Sequence, residues 1–171
     1  MLLIPLLLAG CARAPMAAPA AEALIVVFAD GFHSGIVLAR ADVPAGLLPP
    51  QATRPWVAIH FGERRWISGQ ADGLCDALRL GLSAGEGGVQ VDSVAWWVHD
   101  RGGTDPARVR VWAFPVARRS LEALTARLDS WIEPEAVQAQ LRPGSAWWPS
   151  RRAWTLRTNC HDFTADLLSA A

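Results

Sequence analysis

The chain has 171 residues, 51% of them hydrophobic and 19% charged, and its 16 basic and 16 acidic residues cancel to a formal net charge of zero. That hydrophobicity excludes a disordered chain, and the length suits one compact domain. Without net positive charge or a basic run of five residues, the sequence offers no field for a phosphate backbone, so no nucleic-acid partner is expected.

Met1 to Ala12 reads MLLIPLLLAGCA. This apolar run is too short for a spanning helix of ~20 residues but suits the hydrophobic region of a signal peptide. It ends in Leu8-Ala9-Gly10-Cys11, which resembles the bacterial lipobox, where the signal is cut before a Cys whose thiol is acylated. The resemblance implies a signal peptide over 1–10 and a lipidated Cys11 as the mature N-terminus. With Ala12 following the lipidated residue, it implies sorting to the cell envelope, at the periplasmic face of an outer membrane. Residues 11–23 are rich in Ala and Pro and read as a tether, and 24–171 as one folded domain. Two further thiols, Cys75 and Cys160, stand in a compartment that permits a bridge between them.

Leu24 to Phe28 and Ser34 to Leu38 are β-branched runs broken by Gly31 and read as a hairpin, with His33 at the entry to its second strand. Trp56 to Phe61 is a third strand, with Val57, Ile59 and Phe61 on one face and Trp56, Ala58 and His60 on the other. A short strand is expected around Trp66. Ala71 to Leu82 reads as a helix with Leu74, Leu78 and Leu82 at core spacing, which makes Cys75 a core thiol. Val89 to Val98 and Val109 to Phe114 read as strands. Ser120 to Ile132 reads as a helix with an apolar stripe of Leu121, Leu124, Leu128 and Ile132. Trp154 to Leu156 is expected as a last strand before a helix over 159–169. This order predicts an α+β domain, a mostly antiparallel sheet packed with helices.

The densest chemistry lies in Thr158-Asn159-Cys160-His161-Asp162-Phe163-Thr164. Asn159 is an N-cap, which puts Cys160 in the first helical turn. Free amides and the helix dipole there favour a thiolate and lower the thiol pKa, and the same amides can hold an oxyanion. Cys160, Phe163 and Leu167 share the face turned to the sheet, and Asp162 is expected to point away. His161 is adjacent in sequence but about 100° around the helix, so the base must come from elsewhere. His33 and His60 are the suppliers, and His99 reads as a loop residue.

Three blocks carry a family resemblance: His33-Ser34-Gly35-Ile36-Val37-Leu38, then Ile59-His60-Phe61-Gly62-Glu63-Arg64-Arg65-Trp66, then Cys160-His161-Asp162-Phe163-Thr164-Ala165. Together they resemble domain of unknown function 2459, a family of bacterial envelope proteins. The chain departs from that pattern at His60, where the family has Glu, at Glu63, where it has Trp, and at His161-Asp162, where it has Asn-Thr. More distantly, Asn159-Cys160-His161-Asp162-Phe163 is similar to the Asn-Cys-Glu-His-Phe motif of the lecithin retinol acyltransferase group. That group belongs to the permuted papain-like (NlpC-type) thiol hydrolases. The likeness implies Cys160 as nucleophile, His33 as general base and His60 as the group orienting His33.

The expected activity is hydrolysis or transfer at an amide or ester bond of a cell-wall peptide or lipid. One alternative is a non-catalytic envelope-binding module using some of the nine Trp residues, among them Trp96-Trp97 and Trp147-Trp148. Another is a metal site from His33, His60, His99 and Cys160. None of these shows a tight ligand spacing, so neither metal nor cofactor is expected. The lipobox reading predicts that protein isolated from membranes lacks residues 1–10 and carries acyl mass on Cys11. N-terminal peptide mass spectrometry checks it, and a peptide retaining Met1 contradicts it.

Overall fold

The structure, a computed structural model, describes residues 22–30, 32–71, 73–95, 109–136 and 138–171. The signal segment, Cys11 and all but the last two residues of the tether lie outside these residues, as do His99 and Trp96-Trp97.

β1 (Ala23–Ala29) and β2 (Ser34–Ala39) form the expected hairpin, with Val26 opposite Val37 and Phe28 opposite Gly35. Asp30 organises the turn: its N–H donates to His33 O, and its Oδ1 accepts the His33 N–H, both at 2.9 Å. β3 (Trp56–Glu63) pairs with β2, and β4 (Gly87–Val94) pairs with β3. β5 (Arg110–Val116) lies along the outer side of β1. β6 (Ala139–Arg142) and β7 (Ser145–Pro149) make a second hairpin, turning at Gly144 with φ +74°, and β7 pairs with β4. The product is one seven-stranded sheet in the order β5-β1-β2-β3-β4-β7-β6, antiparallel at every pairing. The α+β class follows the expectation.

Alternation sorts the strands into two faces. Ile25, Val27, Ile36, Leu38, Ile59 and Phe61 line the main core, covered by α3 (Arg118–Asp129) and α4 (Cys160–Ala170). Phe61, Trp131 and Phe163 meet there at ring separations of 5.0 to 5.9 Å, each fully buried. Trp131 also donates its Nε1–H to Asp166 at 2.7 Å while Arg152 stacks 4.0 Å above its ring, which ties α4 to the chain after α3. The opposite face carries Val26, Phe28, Val37, Ala58 and Val94 in a smaller cluster.

Several expectations change. Trp66 belongs to a short helix, α1 (Arg64–Ile67), because the Glu63 carboxylate caps it by accepting the Trp66 N–H at 2.9 Å. The expected helix exists as α2 (Gly73–Leu82), but Leu74, Leu78 and Leu82 are 74%, 57% and 89% exposed, and Cys75 is exposed too. The helix-side face of the sheet is already covered by α3 and α4, so the period of α2 is right while its burial is not. Cys75 is therefore no core thiol, and it is not bridged to Cys160; both are free. Trp154 makes one bridge, to Gly85, and Leu156 is exposed, so no strand forms there. The real strands of that region are β6 and β7. Ile132 is buried but lies past α3, bridged to Ser150. Among the described residues no helix is long and apolar enough to cross a membrane.

Leu124 is fully buried in α3 while Leu78 is exposed in α2, so the same truncation separates the two helices. Leu124→Ala should cost about 2–5 kcal/mol and Leu78→Ala no more than about 0.5 kcal/mol, read by urea denaturation. Equal losses would place the α2 stripe in the core.

Candidate active site

Asn159 starts α4 as expected. Its Oδ1 accepts the His161 N–H at 2.8 Å and the Asp162 N–H at 3.4 Å, and Asp162 Oδ2 accepts the Asn159 N–H at 3.1 Å, a reciprocal capping box. Asp162 thus folds back onto the cap amide, where the helix dipole favours its charge. His161 is exposed, and it bears on the thiol described next through its backbone N–H.

Cys160 is the first residue of α4 and is 5% exposed. Its neighbours are backbone and hydroxyl groups at the start of β2. The thiol donates to Phe32 O at 3.6 Å. Ser34 and Thr164 hydroxyls both donate to Cys160 O, at 3.1 and 2.8 Å, and stand 3.1 Å from each other. Helix and strand are thereby stitched at the residue that carries the thiol. Phe32 and Ser34 flank His33, so Cys160 lodges against the backbone on either side of that histidine.

His33 and His60 do come together. His33 Nε2 lies 2.9 Å from His60 Nδ1, and the rings meet edge to face, 4.6 Å apart at 88°. Gly35, directly opposite His60, makes room: a Cβ there would stand 2.6 Å from the Phe28 ring and 2.8 Å from His60 Cβ. Only glycine lets the Phe28 ring pack beside both imidazoles.

Behind His60 lies a carboxylate that the sequence reading did not single out. His60 Nε2 is 3.1 Å from Asp92 Oδ2, with His60 1% and Asp92 5% exposed. Gln90 Nε2 donates to both Asp92 oxygens at 2.9 Å and lies 3.3 Å from Ser145 Oγ, and Arg142 reaches Asp92 Oδ1 at 3.6 Å. The signal was present in Val89-Gln90-Val91-Asp92, where alternation puts two polar side chains on the His60 face of an otherwise apolar strand. The strand register completes the placement: His60 is opposite Gln90, and Ala58 is opposite Asp92.

This polar chain occupies the sheet face away from α3 and α4, whereas Cys160 sits on the helix side. Both lie at the same end of the sheet, beside the β1–β2 turn, where the thiol contacts Phe32 O, next in sequence to His33.

Electrostatics divides the site. Burial alone would raise the Asp92 carboxyl, but hydrogen bonds from His60, Ser145 and Gln90, together with the positive charge His60 carries when protonated, hold it well below the usual carboxylate range. At Cys160 burial wins: it pushes the thiol up, against the Ser34 N–H, the Cys160 N–H, the Ser34 hydroxyl and the His161 N–H, which favour the thiolate. The expected low-pKa thiolate is therefore corrected to a thiol protonated at neutral pH.

No family model, curated protein or solved structure matches the chain. What the site does is therefore inferred from its own chemistry. Among the described residues no group of three or more His, Cys, Asp or Glu side chains is arranged to hold a metal ion.

The depressed Asp92 carboxyl has a pH signature. In the unfolded chain this group takes up a proton near pH 4, well before the folded protein does, so its contribution is complete above about pH 4 and lost as the pH falls further. Denaturation midpoints should drop on that acid side, and Asp92→Asn should flatten the drop while lowering stability at pH 7 by about 1–3 kcal/mol. An unchanged acid slope in the variant would show that Asp92 is not held ionised.

Proposed function

We propose that the protein is a thiol hydrolase or acyltransferase of permuted papain-like (NlpC-type) architecture. It is anchored through a lipid on Cys11 at the periplasmic side of the outer membrane and acts on an amide or ester bond of a cell-wall peptide or lipid. One observation carries the reading: a thiol at the start of a capped helix is lodged against the residues flanking His33, whose ring is hydrogen-bonded to His60.

Cys160 Sγ attacks the carbonyl carbon while its proton passes to His33, held in orientation by His60. Because the thiol rests protonated, proton transfer accompanies attack instead of preceding it. The carbonyl electron pair moves to oxygen, and the Cys160 and Ser34 amides beside the thiol are the donors placed to hold it, with Asn159 keeping the helix start in shape. Collapse expels an amine or alcohol, which takes the proton from His33 and leaves a thioester on Cys160. Water or an acceptor, deprotonated by His33, then cleaves the thioester and restores the thiol.

The burial and raised pKa of Cys160 favour one rival, a non-catalytic envelope module in which the thiol is core and exposed Trp66 and Trp112 bind a ligand. A p-nitrophenyl ester and intact-mass analysis of the full-length protein in detergent separate the two. The hydrolase reading predicts an acyl adduct on Cys160 and none on Cys75, lost in Cys160→Ala and formed about 10²–10⁴-fold more slowly in His33→Ala. No adduct on Cys160 from about pH 6 to about pH 10 would leave the binding module as the better reading.

A further inference from the structure

We propose that Asp92 is a positioning residue that sets the tautomers of both imidazoles, making His33 Nδ1 the atom that receives the Cys160 proton and His60 the place where the resulting positive charge comes to rest. The inference rests on the thiol-hydrolase reading for the source of the proton, and on the hydrogen-bond chain for everything else.

While both imidazoles are neutral, the hydrogen-bond chain has one consistent proton pattern. An ionised carboxylate accepts and cannot donate, so the proton between Asp92 Oδ2 and His60 Nε2 sits on Nε2. A neutral imidazole carries one N–H, so His60 Nδ1 is then an acceptor. The 2.9 Å contact to His33 must be filled by the proton of His33 Nε2. That leaves the lone pair of neutral His33 on Nδ1, the ring nitrogen not engaged by His60. Each step depends on Asp92 staying ionised, and Gln90, donating to both of its oxygens, and Arg142, at 3.6 Å, hold it so.

The same chain carries charge away from the thiol. When His33 Nδ1 takes the proton from Sγ, His33 is an imidazolium. Its Nε2 proton can pass to His60 Nδ1, which returns His33 to a neutral ring bearing Nδ1–H and makes His60 the cation. No atom is gained or lost, and the positive charge ends beside the Asp92 carboxylate, 3.1 Å from His60 Nε2. Among the described residues, the charged and titratable groups in contact with His60 include His33 and Asp92, with Arg142 on the far side of that carboxylate and Gln90 and Ser145 as its neutral partners.

Asp92→Asn tests the idea by reversing it. The Arg142 and Gln90 donors draw the amide oxygen, which turns the amide N–H toward His60 Nε2 and makes that nitrogen an acceptor. His60 then carries its proton on Nδ1 and donates to His33 Nε2, so His33 carries its own on Nδ1 and has no lone pair left for the thiol.

The experiment is nitrogen-15 NMR of the histidine rings in the full-length protein in detergent micelles, paired with the pH profile of acyl-Cys160 formation. In the wild type both His33 and His60 should be Nε2–H tautomers. In Asp92→Asn both should become Nδ1–H, acylation should slow about 10²–10⁴-fold and its imidazole limb should move to lower pH, while Asp92→Glu should restore part of the rate. A wild-type His33 found as the Nδ1–H tautomer overturns the proposal with no variant needed, and so does an acylation profile that Asp92→Asn leaves unchanged. If the wild type shows the expected tautomers and the expected switch but forms no acyl-Cys160, the hydrolase reading falls and His33 loses its role as acceptor, while control of the tautomers by Asp92 stands.

Discussion

The register between β2, β3 and β4 is the constraint on which the rest of the site depends. Gly35, His60, Gln90 and Trp147 lie opposite one another across four strands, and Val37, Ala58, Asp92 and Ser145 form the next row on the same face. A slip of one residue in β4 would carry Gln90 and Asp92 to the helix side and bring valines against His60. The slip is opposed by the main core, because Val89 and Val91 are fully buried beneath the helices and would have to surrender that burial. Hydrophobic packing on one face therefore dictates a polar hydrogen-bond chain on the other.

Two opposing effects meet at Cys160. The start of a capped helix favours negative charge, and removal from water opposes it more strongly. The polar partners closest to the thiol come from backbone and from Ser34, which orient it without supplying a full positive charge. Asp92 shows the reverse balance, since its burial is offset by a histidine, a glutamine and a serine in direct contact. The site thus stores its charge at the far end of the hydrogen-bond chain, away from the Cys160 sulfur.

Much of this could be read in the residues, and what could not has physical causes. The first hairpin, the faces of β3, the α3 stripe and the Asn159 cap follow from local periodicity and capping chemistry, which the tertiary structure leaves intact. The pairing of His33 with His60 came from motif likeness and is a matter of strand register. Asp92 was hidden because its importance arises from a neighbour 32 residues away, although its alternation with valines was visible. The α2 leucines misled because periodicity reports an apolar face without saying whether anything is free to cover it. β6 and β7 were missed because the Trp147-Trp148 pair, between a tight Gly144 turn and a proline, looks like loop until β4 supplies its partner.

The distances along the chain between the interacting groups bear on when the site comes into being. His33 and His60 are 27 residues apart, and Asp92 is 32 beyond His60, so this network closes within the first part of the domain to be synthesised. The thiol reaches its place from 128 residues away, on the last helix. Contacts of such long range form late, after the loop-closure entropy has been met by other structure. A chain still being synthesised carries both imidazoles without the sulfur, and the two halves are joined only when the C-terminal helix docks. The surroundings of the Cys160 thiol are consequently a report on completion of folding.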